Sequence, residues 1–202
     1  VGYVGSRQAA PILLDGLRRL EYRGYDSAGM AVCGPAGLQV YKTPGRLAAL
    51  AELTADGAAL TGTVGVGHTR WATHGEPSVV NAHPHYSNDK KIAIVHNGII
   101  ENYLEIKERL TNKGFTFASQ TDTEVLAQLL DYYYMGESAG DPLDAIARTM
   151  LHVRGSYALG VLFADEPGTI YAARKDSPLV VGKAESGTLI ASDVPALLKY
   201  TR

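Results

Sequence analysis

Residues 64–85 read V-G-V-G-H-T-R-W-A-T-H-G-E-P-S-V-V-N-A-H-P-H and contain four of the six histidines, the only tryptophan and an arginine. The opening V-G-V-G alternates apolar residues with glycine, which is typical of a β-strand with small residues on one face. Turn-forming residues at 73–78 then predict a loop that leaves the end of this strand. Loops on a rigid scaffold often carry binding and catalytic groups. We therefore interpret this loop as a functional site rather than as a surface loop with incidental histidines.

Composition places the chain among ordinary globular proteins. Its 202 residues are 46% hydrophobic and 20% charged, which fits one large domain. The formal net charge of −2 gives no electrostatic reason to expect nucleic acid or an anionic membrane as a partner. We find neither an apolar run of about 18 residues, as a membrane span needs, nor a signal-peptide pattern. Cys33 is the only cysteine and cannot form an internal disulfide, which favours a reducing cytoplasm.

The order of predicted elements favours an antiparallel α+β domain. Apolar periodicity predicts helices at 7–20, 45–53, 101–113, 122–135 and 142–152, and a final one capped by Ser192 or Asp193 and ending at Leu198. Alternating runs predict strands at 1–5, 28–33, 38–42, 64–69, 92–96, 157–164, 169–173, 179–182 and 189–191. Strands arrive in hairpins and helices in succession, unlike a βαβ pattern. The glycine-rich pieces match neither G-x-G-x-x-G nor a P-loop.

Four residues outside any single motif carry complementary chemistry. Arg70 can bind a carboxylate through two parallel hydrogen bonds, and Asp122 can accept from an ammonium group. The Asn97 side-chain amide and the Gly98 N–H can both donate to one oxygen, as in an oxyanion hole. A cation, an anion and two donors suit an amino-acid substrate whose amide or ester is attacked.

The residues alone leave other interpretations open. Asn97-Gly98 is also a strong turn signal, and Asp122 also suits the positive end of a helix dipole. Cys33 is better explained as a buried core residue than as a nucleophile, because no His or acidic partner lies nearby in sequence. The number of histidines suggests a metal site as an alternative, although neither H-E-x-x-H nor a Cys/His ligand pair occurs. With no evident nucleophile, a non-catalytic module that holds an amino acid stays possible.

Five segments carry a family resemblance. They are L-E-Y-R-G-Y-D-S-A-G (20–29), H-T-R-W-A-T-H-G-E-P (68–77), N-A-H-P-H (81–85), V-H-N-G-I-I-E-N (95–102) and T-D-T-E-V (121–125). Together they resemble the glutaminase domain of the glucosamine-6-phosphate synthase family, whose members are class II glutamine amidotransferases. The resemblance extends through P-L-V-V-G and I-A-S-D near residue 193. The Y-R-G-Y-D-S-A-G and R-W-A-T-H-G versions favour this family over the related amidotransferase of purine synthesis.

The resemblance implies a fold and a reaction. The fold is that of the N-terminal-nucleophile hydrolases, a four-layer αββα sandwich of two antiparallel sheets between helices. A cysteine at the mature N-terminus attacks the side-chain amide of glutamine, and its own α-amino group, with a pKa of about 7.7–8.0, serves as the base. Ammonia leaves, and water then hydrolyses the thioester to release glutamate.

The resemblance also assigns roles to residues of this chain. Arg70 would clamp the α-carboxylate of glutamine, Asp122 would bind its α-amino group, and Asn97 with Gly98 would form the oxyanion hole. The loop that closes over glutamine would be formed by Trp71, Thr73, His74 and Gly75. His83 would be a further histidine near the site, and Arg23 would be a structural arginine near the nucleophile. No metal and no cofactor are expected.

The same resemblance implies which ligands and partners the chain has and which part of a family member it represents. We expect glutamine and glutamate as ligands, and neither nucleic acid nor membrane. Fructose 6-phosphate would be used through a sugar-isomerase domain that residues 1–202 lack, in a homodimeric full-length protein that performs the first step of amino-sugar (UDP-GlcNAc) synthesis. The family opens C-G-I-V-G, whereas this chain opens V-G-Y-V-G. We therefore expect residues 1–202 to be a glutaminase domain without its first residues and last part, inactive alone, with Cys33 no substitute for the nucleophile.

Overall fold

The computed structural model describes residues 1–201. Its strands are β1 (Gly2–Gly5), β2 (Ser27–Gly34), β3 (Gly37–Pro44), β4 (Val64–Arg70), β5 (His85–Tyr86), β6 (Ile92–Ile100), β7 (Gly155–Phe163), β8 (Tyr171–Lys175), β9 (Val180–Ala184) and β10 (Gly187–Ala191). Its α-helices are α1 (Ala9–Arg18), α2 (Leu47–Leu53), α3 (Tyr103–Thr111), α4 (Asp122–Met135) and α5 (Pro142–His152). Within this range, no helix is long and apolar enough to cross a membrane.

The strands form two sheets. One has six strands in the order β3-β2-β4-β1-β10-β9, and the other has four in the order β5-β6-β7-β8. Every pairing between neighbouring strands in both sheets is antiparallel. Short loops connect the hairpins β2–β3, β7–β8 and β9–β10, as the closely spaced runs in the sequence predict.

Alternation along the strands divides the apolar residues among three clusters. In β2, Met30 and Val32 pack with α1 and α2, whereas Ala31 and Cys33 lie in a cluster between the two sheets. The residues of β6 divide in the same way. Ile92 and Ile94 pack in the cluster with α3, α4 and α5, whereas Ala93 and Val95 lie between the sheets. Because successive side chains of a strand point to opposite faces, each sheet has one helix-covered face and one face against the other sheet. The predicted four-layer αββα sandwich is confirmed.

The prediction that β6 ends at an Asn-Gly turn is wrong. The strand continues through both residues, and Asn97 pairs with Ala158 while Gly98 pairs with Tyr157. Gly98 has a φ of 117°, and a Cβ there would lie 2.2 Å from the carbonyl oxygen of Ser156. Glycine is required because the neighbouring backbone approaches closely, and not because the chain reverses direction.

Two further sequence-based assignments differ from the structure. The predicted helix from Ser192 or Asp193 to Leu198 is only a 3-10 turn at Val194–Ala196. Its backbone bonds span three residues, as in Leu197 N–H to the Val194 carbonyl, and Asp193 caps it by accepting from the Val194 N–H at 2.8 Å. The strand β5 was not predicted, since a two-residue strand is too short to show alternation.

The start of α4 is fixed by a cap at Thr121. The Thr121 hydroxyl accepts from the Glu124 N–H at 3.3 Å, as a capping residue does. The Glu124 carboxylate does not complete a reciprocal capping box, because it accepts from the N–H groups of Ala118 and Ser119 at 3.0 and 2.7 Å. Those bonds anchor the preceding loop, so the first turn of α4 is held in place beside β6.

Candidate functional site

A cavity of about 200 Å³ opens where β1, β4, β6 and the first turn of α4 meet. The site residues predicted from sequence that line it are Arg70, Trp71, Thr73, His74, His83, Asn97, Gly98 and Asp122. The predicted Arg23 lines it as well, together with Val1, His68 and Ser192, which the sequence analysis did not select for the site. Gly75 is the exception, since it does not line the cavity and contributes through its backbone.

Strand alternation explains why these groups meet. On β4, Val64 and Val66 pack between the sheets, so His68 and Arg70 project from the same face further along the strand. On β6, Ala93 and Val95 pack between the sheets, and Asn97 follows at the same spacing. The apolar ends of the two strands thus form the core between the sheets, and their polar ends form one wall of the cavity.

Arg70 is the last residue of β4 and is only 3% exposed. Its Nη2 donates to the carbonyl oxygens of His74 and, at 3.1 Å, Gly75. Its Nη1 donates to the Glu76 carbonyl at 3.3 Å. Gly75 has a φ of 77°, which brings its backbone close to Asn81. The guanidinium therefore fixes the backbone of the loop through three of its five N–H groups, and the residue also lines the cavity.

The charge of Arg70 is balanced by carboxylates. Burial lowers its pKa, and the nearby carboxylates of Asp26 and Asp122 act in the opposite direction. Because an arginine side chain stays protonated in proteins, the group is a buried cation at the cavity wall. Asp26 is further tied to this region, since its Oδ2 accepts from the Ala72 N–H at 2.8 Å.

Asp122 presents one carboxylate oxygen beside the cavity. Its Oδ2 accepts from the Ile100 N–H at 2.9 Å, which links the first turn of α4 to the end of β6. Its Oδ1 lies 3.9 Å from His74 Nδ1. As the first residue of the helix it also suits the helix dipole. The residue is 4% exposed, so this carboxyl group is held in a fixed position.

The loop after β4 supplies the rim of the cavity. Trp71 is 59% exposed, and its ring meets the ring of Tyr25 edge-on at 5.5 Å between centroids. Thr73 is also exposed, and its hydroxyl lies 3.3 Å from His74 Nδ1. An exposed aromatic ring and a hydroxyl at the mouth are groups that a bound ligand can cover.

Asn97 is oriented by a histidine from the other sheet. His68 Nε2 lies 2.8 Å from Asn97 Oδ1 and 3.0 Å from the His96 carbonyl oxygen. The side-chain NH₂ of Asn97 therefore points away from His68. The next residue, Gly98, is exposed, so a side-chain donor and a backbone N–H group lie next to each other at the cavity.

Four histidines form a buried, uncharged group around the site. Burial lowers the pKa of His68 to about 3, and it lowers the pKa of His83 and His85 well below the ordinary value and that of His96 to a lesser extent. The rings of His68 and His83 are stacked with centroids 4.0 Å apart. No group of three or more His, Cys, Asp or Glu side chains in residues 1–201 is arranged to hold a metal ion.

From the sequence, His68 was only one of the several histidines that suggested a metal site. Its bond to Asn97 joins residues that are 29 positions apart, and no local motif marks such a pair. Strand alternation was a usable signal. The even-numbered residues of β4 from Val64 onward lie on one face of that strand, and the odd-numbered residues of β6 from Ala93 onward lie on one face of theirs. Recognising the pair also needed the knowledge that the two faces oppose each other.

As a whole, the cavity offers a cation, a carboxylate and two adjacent hydrogen-bond donors. Arg70 suits a ligand carboxylate and Asp122 suits an ammonium group. Asn97 and Gly98 suit an oxygen that gains negative charge. This combination fits an α-amino acid whose side chain ends in a carbonyl group.

Comparisons with known proteins agree with this geometry. A family model described as a glutamine amidotransferase domain matches residues 68–199. The glutamine–fructose-6-phosphate aminotransferase [isomerizing] of Caldanaerobacter subterraneus subsp. tengcongensis is 55% identical over the whole chain, and that of Thermus thermophilus is 57% identical. The chain spans about a third, 32%, of the length of each of these relatives.

Solved structures show the same fold. The glutamine phosphoribosylpyrophosphate amidotransferase of B. subtilis, complexed with ADP and GMP, superposes with a TM-score of 0.84 at 26% identity, covering 99% of this chain and 43% of that one. A structure described as the allosteric regulatory enzyme of purine biosynthesis also gives 0.84, at 27% identity and with the same coverage. Since the family model matches well over half of the sequence and the folds agree, the chain belongs to the class II glutamine amidotransferases.

Proposed function

We propose that this chain forms most of a domain that hydrolyses L-glutamine to glutamate and supplies the ammonia to an acceptor elsewhere in a larger protein. The observation that carries the proposal is the convergence of Arg70, Asp122, Asn97 and Gly98 on one cavity. The α-carboxylate of glutamine pairs with Arg70 and its α-ammonium with Asp122. The side-chain carbonyl then reaches the donors at Asn97 and Gly98, which strengthen their bonds as negative charge develops on that oxygen.

The nucleophile in this proposal is a cysteine three residues before Val1. Along β1, Gly2 lies opposite Val66 of β4, and Val1 exchanges two backbone hydrogen bonds with Gly67 at 2.7 and 3.0 Å. If the same register continues, the third residue upstream lies opposite Arg70. Its side chain shares the face of Val4, which packs against the cluster between the sheets. The Arg70 side chain projects from this same face of the sheet, so the cysteine and Arg70 would be neighbours there.

The proposed chemistry is covalent. The cysteine thiol transfers its proton to the α-amino group of the same residue, and the sulfur attacks the side-chain amide carbon of glutamine. The tetrahedral oxyanion accepts hydrogen bonds from Asn97 and Gly98. The carbon–nitrogen bond breaks as the amino group returns the proton to the departing ammonia. Water then attacks the thioester carbon, which releases glutamate and restores the thiol.

The fate of the ammonia is proposed from the relatives. Their name, glutamine–fructose-6-phosphate aminotransferase [isomerizing], supports fructose 6-phosphate as the acceptor and glucosamine 6-phosphate as the product. We further propose that the acceptor binds a separate isomerase domain, that the whole protein is a homodimer, and that it requires no cofactor. The single cysteine, Cys33, is a buried free thiol, which fits a reducing cytoplasm.

The direct test is glutamine hydrolysis by a polypeptide in which Cys-Gly-Ile precedes Val1, called here the extended chain. We expect L-glutamine to yield glutamate and ammonia in equal amounts. D-glutamine should not react, because exchanging two substituents at the α-carbon separates the charged groups from Arg70 and Asp122. Binding of glutamine without any hydrolysis would support a non-catalytic binding module instead.

Replacing Arg70 with lysine should weaken the binding of glutamine. A lysine ammonium group is a point charge and cannot reproduce the planar set of donors with which Arg70 holds the loop carbonyls while it contacts a carboxylate. The loss of one charge-assisted hydrogen bond costs about 1.5–3 kcal/mol, or roughly 10- to 150-fold in affinity. The dissociation constant of L-glutamine for Arg70→Lys, measured by titration calorimetry, is the readout.

A matched control is Arg154→Lys. Arg154 is an exposed arginine in an ion pair with Glu105 at 3.3 Å, outside the residues that line the cavity. Its replacement should leave the affinity unchanged. Equal affinities of the Arg70→Lys and unsubstituted chains, with both shown to be folded by circular dichroism, would eliminate Arg70 as the carboxylate contact.

A further inference from the structure

We propose that His68 is a positioning residue that holds the Asn97 side chain with its NH₂ group directed into the cavity. This inference rests on the proposed function, because it assigns the group that keeps the oxyanion donor in its working orientation. His68 belongs to β4 of the six-stranded sheet and Asn97 to β6 of the four-stranded sheet. The contact is therefore a tertiary one between the two halves of the sandwich.

The contacts of His68 determine which ring nitrogen carries its proton. Its Nε2 faces two oxygens, Asn97 Oδ1 at 2.8 Å and the His96 carbonyl at 3.0 Å. The His96 carbonyl can only accept a hydrogen bond, so Nε2 must carry the hydrogen. Within residues 1–201 the other ring nitrogen, Nδ1, has no hydrogen-bond partner. The ring is thus the neutral Nε2–H tautomer, a state that its burial against His83 also favours.

The proton on His68 determines the orientation of the Asn97 amide. Because Nε2–H donates, the group that faces it must be the amide oxygen, which leaves Nδ2 on the opposite side of the side chain. Asn97 lines the cavity, so Nδ2 supplies a donor there. A flipped amide would direct its NH₂ toward the Nε2–H of His68 and its oxygen toward the developing oxyanion. Both contacts are repulsive, so the histidine selects the orientation that suits catalysis.

The same contact aligns the two strands that carry the site. His68 lies two residues before Arg70 on the same face of β4, and Asn97 directly precedes Gly98 on β6. The bond of His68 to both Asn97 and the His96 backbone therefore ties the strand that carries the carboxylate contact to the strand that carries the oxyanion donors. The distance between the two ends of a bound glutamine depends on this alignment.

The test compares His68→Leu and His68→Gln in the extended chain. Leucine removes the donor, whereas the Gln side-chain amide can place an N–H near the position of Nε2. Loss of one oxyanion donor typically lowers kcat by about 10²–10³-fold. We expect His68→Leu to lower kcat by roughly 10- to 100-fold, because the flipped amide is populated only part of the time. KM should change little, and His68→Gln should recover most of kcat.

A double-mutant cycle with Asn97→Ala separates positioning from a general structural role. If His68 acts through the Asn97 amide, His68→Leu should cause no further loss of kcat once that amide is absent. An equal loss in both backgrounds would overturn the proposal, as would full activity of His68→Leu. The control is His152→Gln, a histidine remote from the cavity that bonds to Tyr133, and it should leave kcat unchanged.

A second readout does not depend on activity. ¹⁵N NMR of the imidazole should show His68 protonated on Nε2 and neutral in the chain that begins at Val1. A hydrogen on Nδ1 instead, or a charged ring at neutral pH, would overturn the proposal. If the tautomer is as expected but the extended chain does not hydrolyse glutamine, the proposed function fails while the orientation of Asn97 stands.

Discussion

A polypeptide that begins at Val1 should not hydrolyse glutamine measurably, whereas the extended chain should turn it over. The proposed nucleophile and base belong to one residue, so its absence removes bond formation and proton transfer together. The donors at Asn97 and Gly98 stabilise a transition state only when something attacks the amide. In serine proteases that lack the catalytic triad, the oxyanion hole and substrate binding alone still accelerate the reaction by about 10³–10⁴-fold over that in water. Amide hydrolysis at such a rate is too slow to detect.

The matched control for this prediction is an extension of the same length that begins with alanine. It should bind glutamine but release no glutamate. Cys33→Ala in the extended chain should retain turnover, because Cys33 lies in the apolar cluster between the sheets and its burial raises the pKa of its thiol. Robust turnover by a polypeptide whose start at Val1 is verified by intact mass would contradict the proposed mechanism.

Mild acid should destabilise the fold strongly. The folded-state pKa is lowered by burial for His68, His83, His85 and His96, whereas the unfolded value is about 6.5. Below that value the unfolded chain binds protons that the folded chain excludes. The contribution of these four histidines to the free energy of unfolding should therefore be constant above about pH 6.5 and should fall as the pH drops further. Each such histidine contributes at most about 1.4 kcal/mol per pH unit.

Four histidines together can remove several kcal/mol per pH unit, a large share of the roughly 5–15 kcal/mol that stabilises a typical domain. We therefore expect substantial unfolding by about pH 5. Asp131 acts in the opposite direction, because its folded pKa is raised to about 6 and protonation there favours the folded state. Its single proton offsets only part of the effect.

Urea denaturation followed by circular dichroism at several pH values measures this dependence. His85→Gln should reduce the slope by about a quarter, because it removes one of the four protons taken up on unfolding. The exposed His152 serves as the control, and His152→Gln should leave the slope unchanged. An unfolding free energy that is equal at about pH 5 and at neutral pH would contradict the buried neutral state of these histidines.

Local signals in the sequence predicted the five α-helices well, although not the 3-10 turn at Val194–Ala196. The range 122–135 predicted for α4 coincides with the observed helix, because a cap at Thr121 and a sustained apolar stripe mark both its start and its face. The extent of β6 was predicted less well. Asn97-Gly98 carries a strong local turn preference, but pairing with β7 holds these residues extended. A long-range interaction outweighed the local preference there.

The candidate site shows the same division between local and long-range information. The residue types at Arg70, Asp122, Asn97 and Gly98 suggested their chemistry from sequence alone, and the structure places all four at one cavity. The bonds that position them could not be predicted. Arg70 donates to the carbonyl oxygens of its own loop, and Asp122 accepts from the backbone of β6, because of tertiary geometry that no spacing pattern encodes.

The binding mode is tested most directly by a crystal structure of this chain with L-glutamate, the proposed product. The α-carboxylate should lie against Arg70 and the α-ammonium against Asp122. The side-chain carboxylate should accept hydrogen bonds from Asn97 Nδ2 and the Gly98 N–H. Glutamate bound in the reverse direction, or a cavity without glutamate at a concentration that saturates the chain in solution, would contradict the assignment of this cavity as the glutamine site.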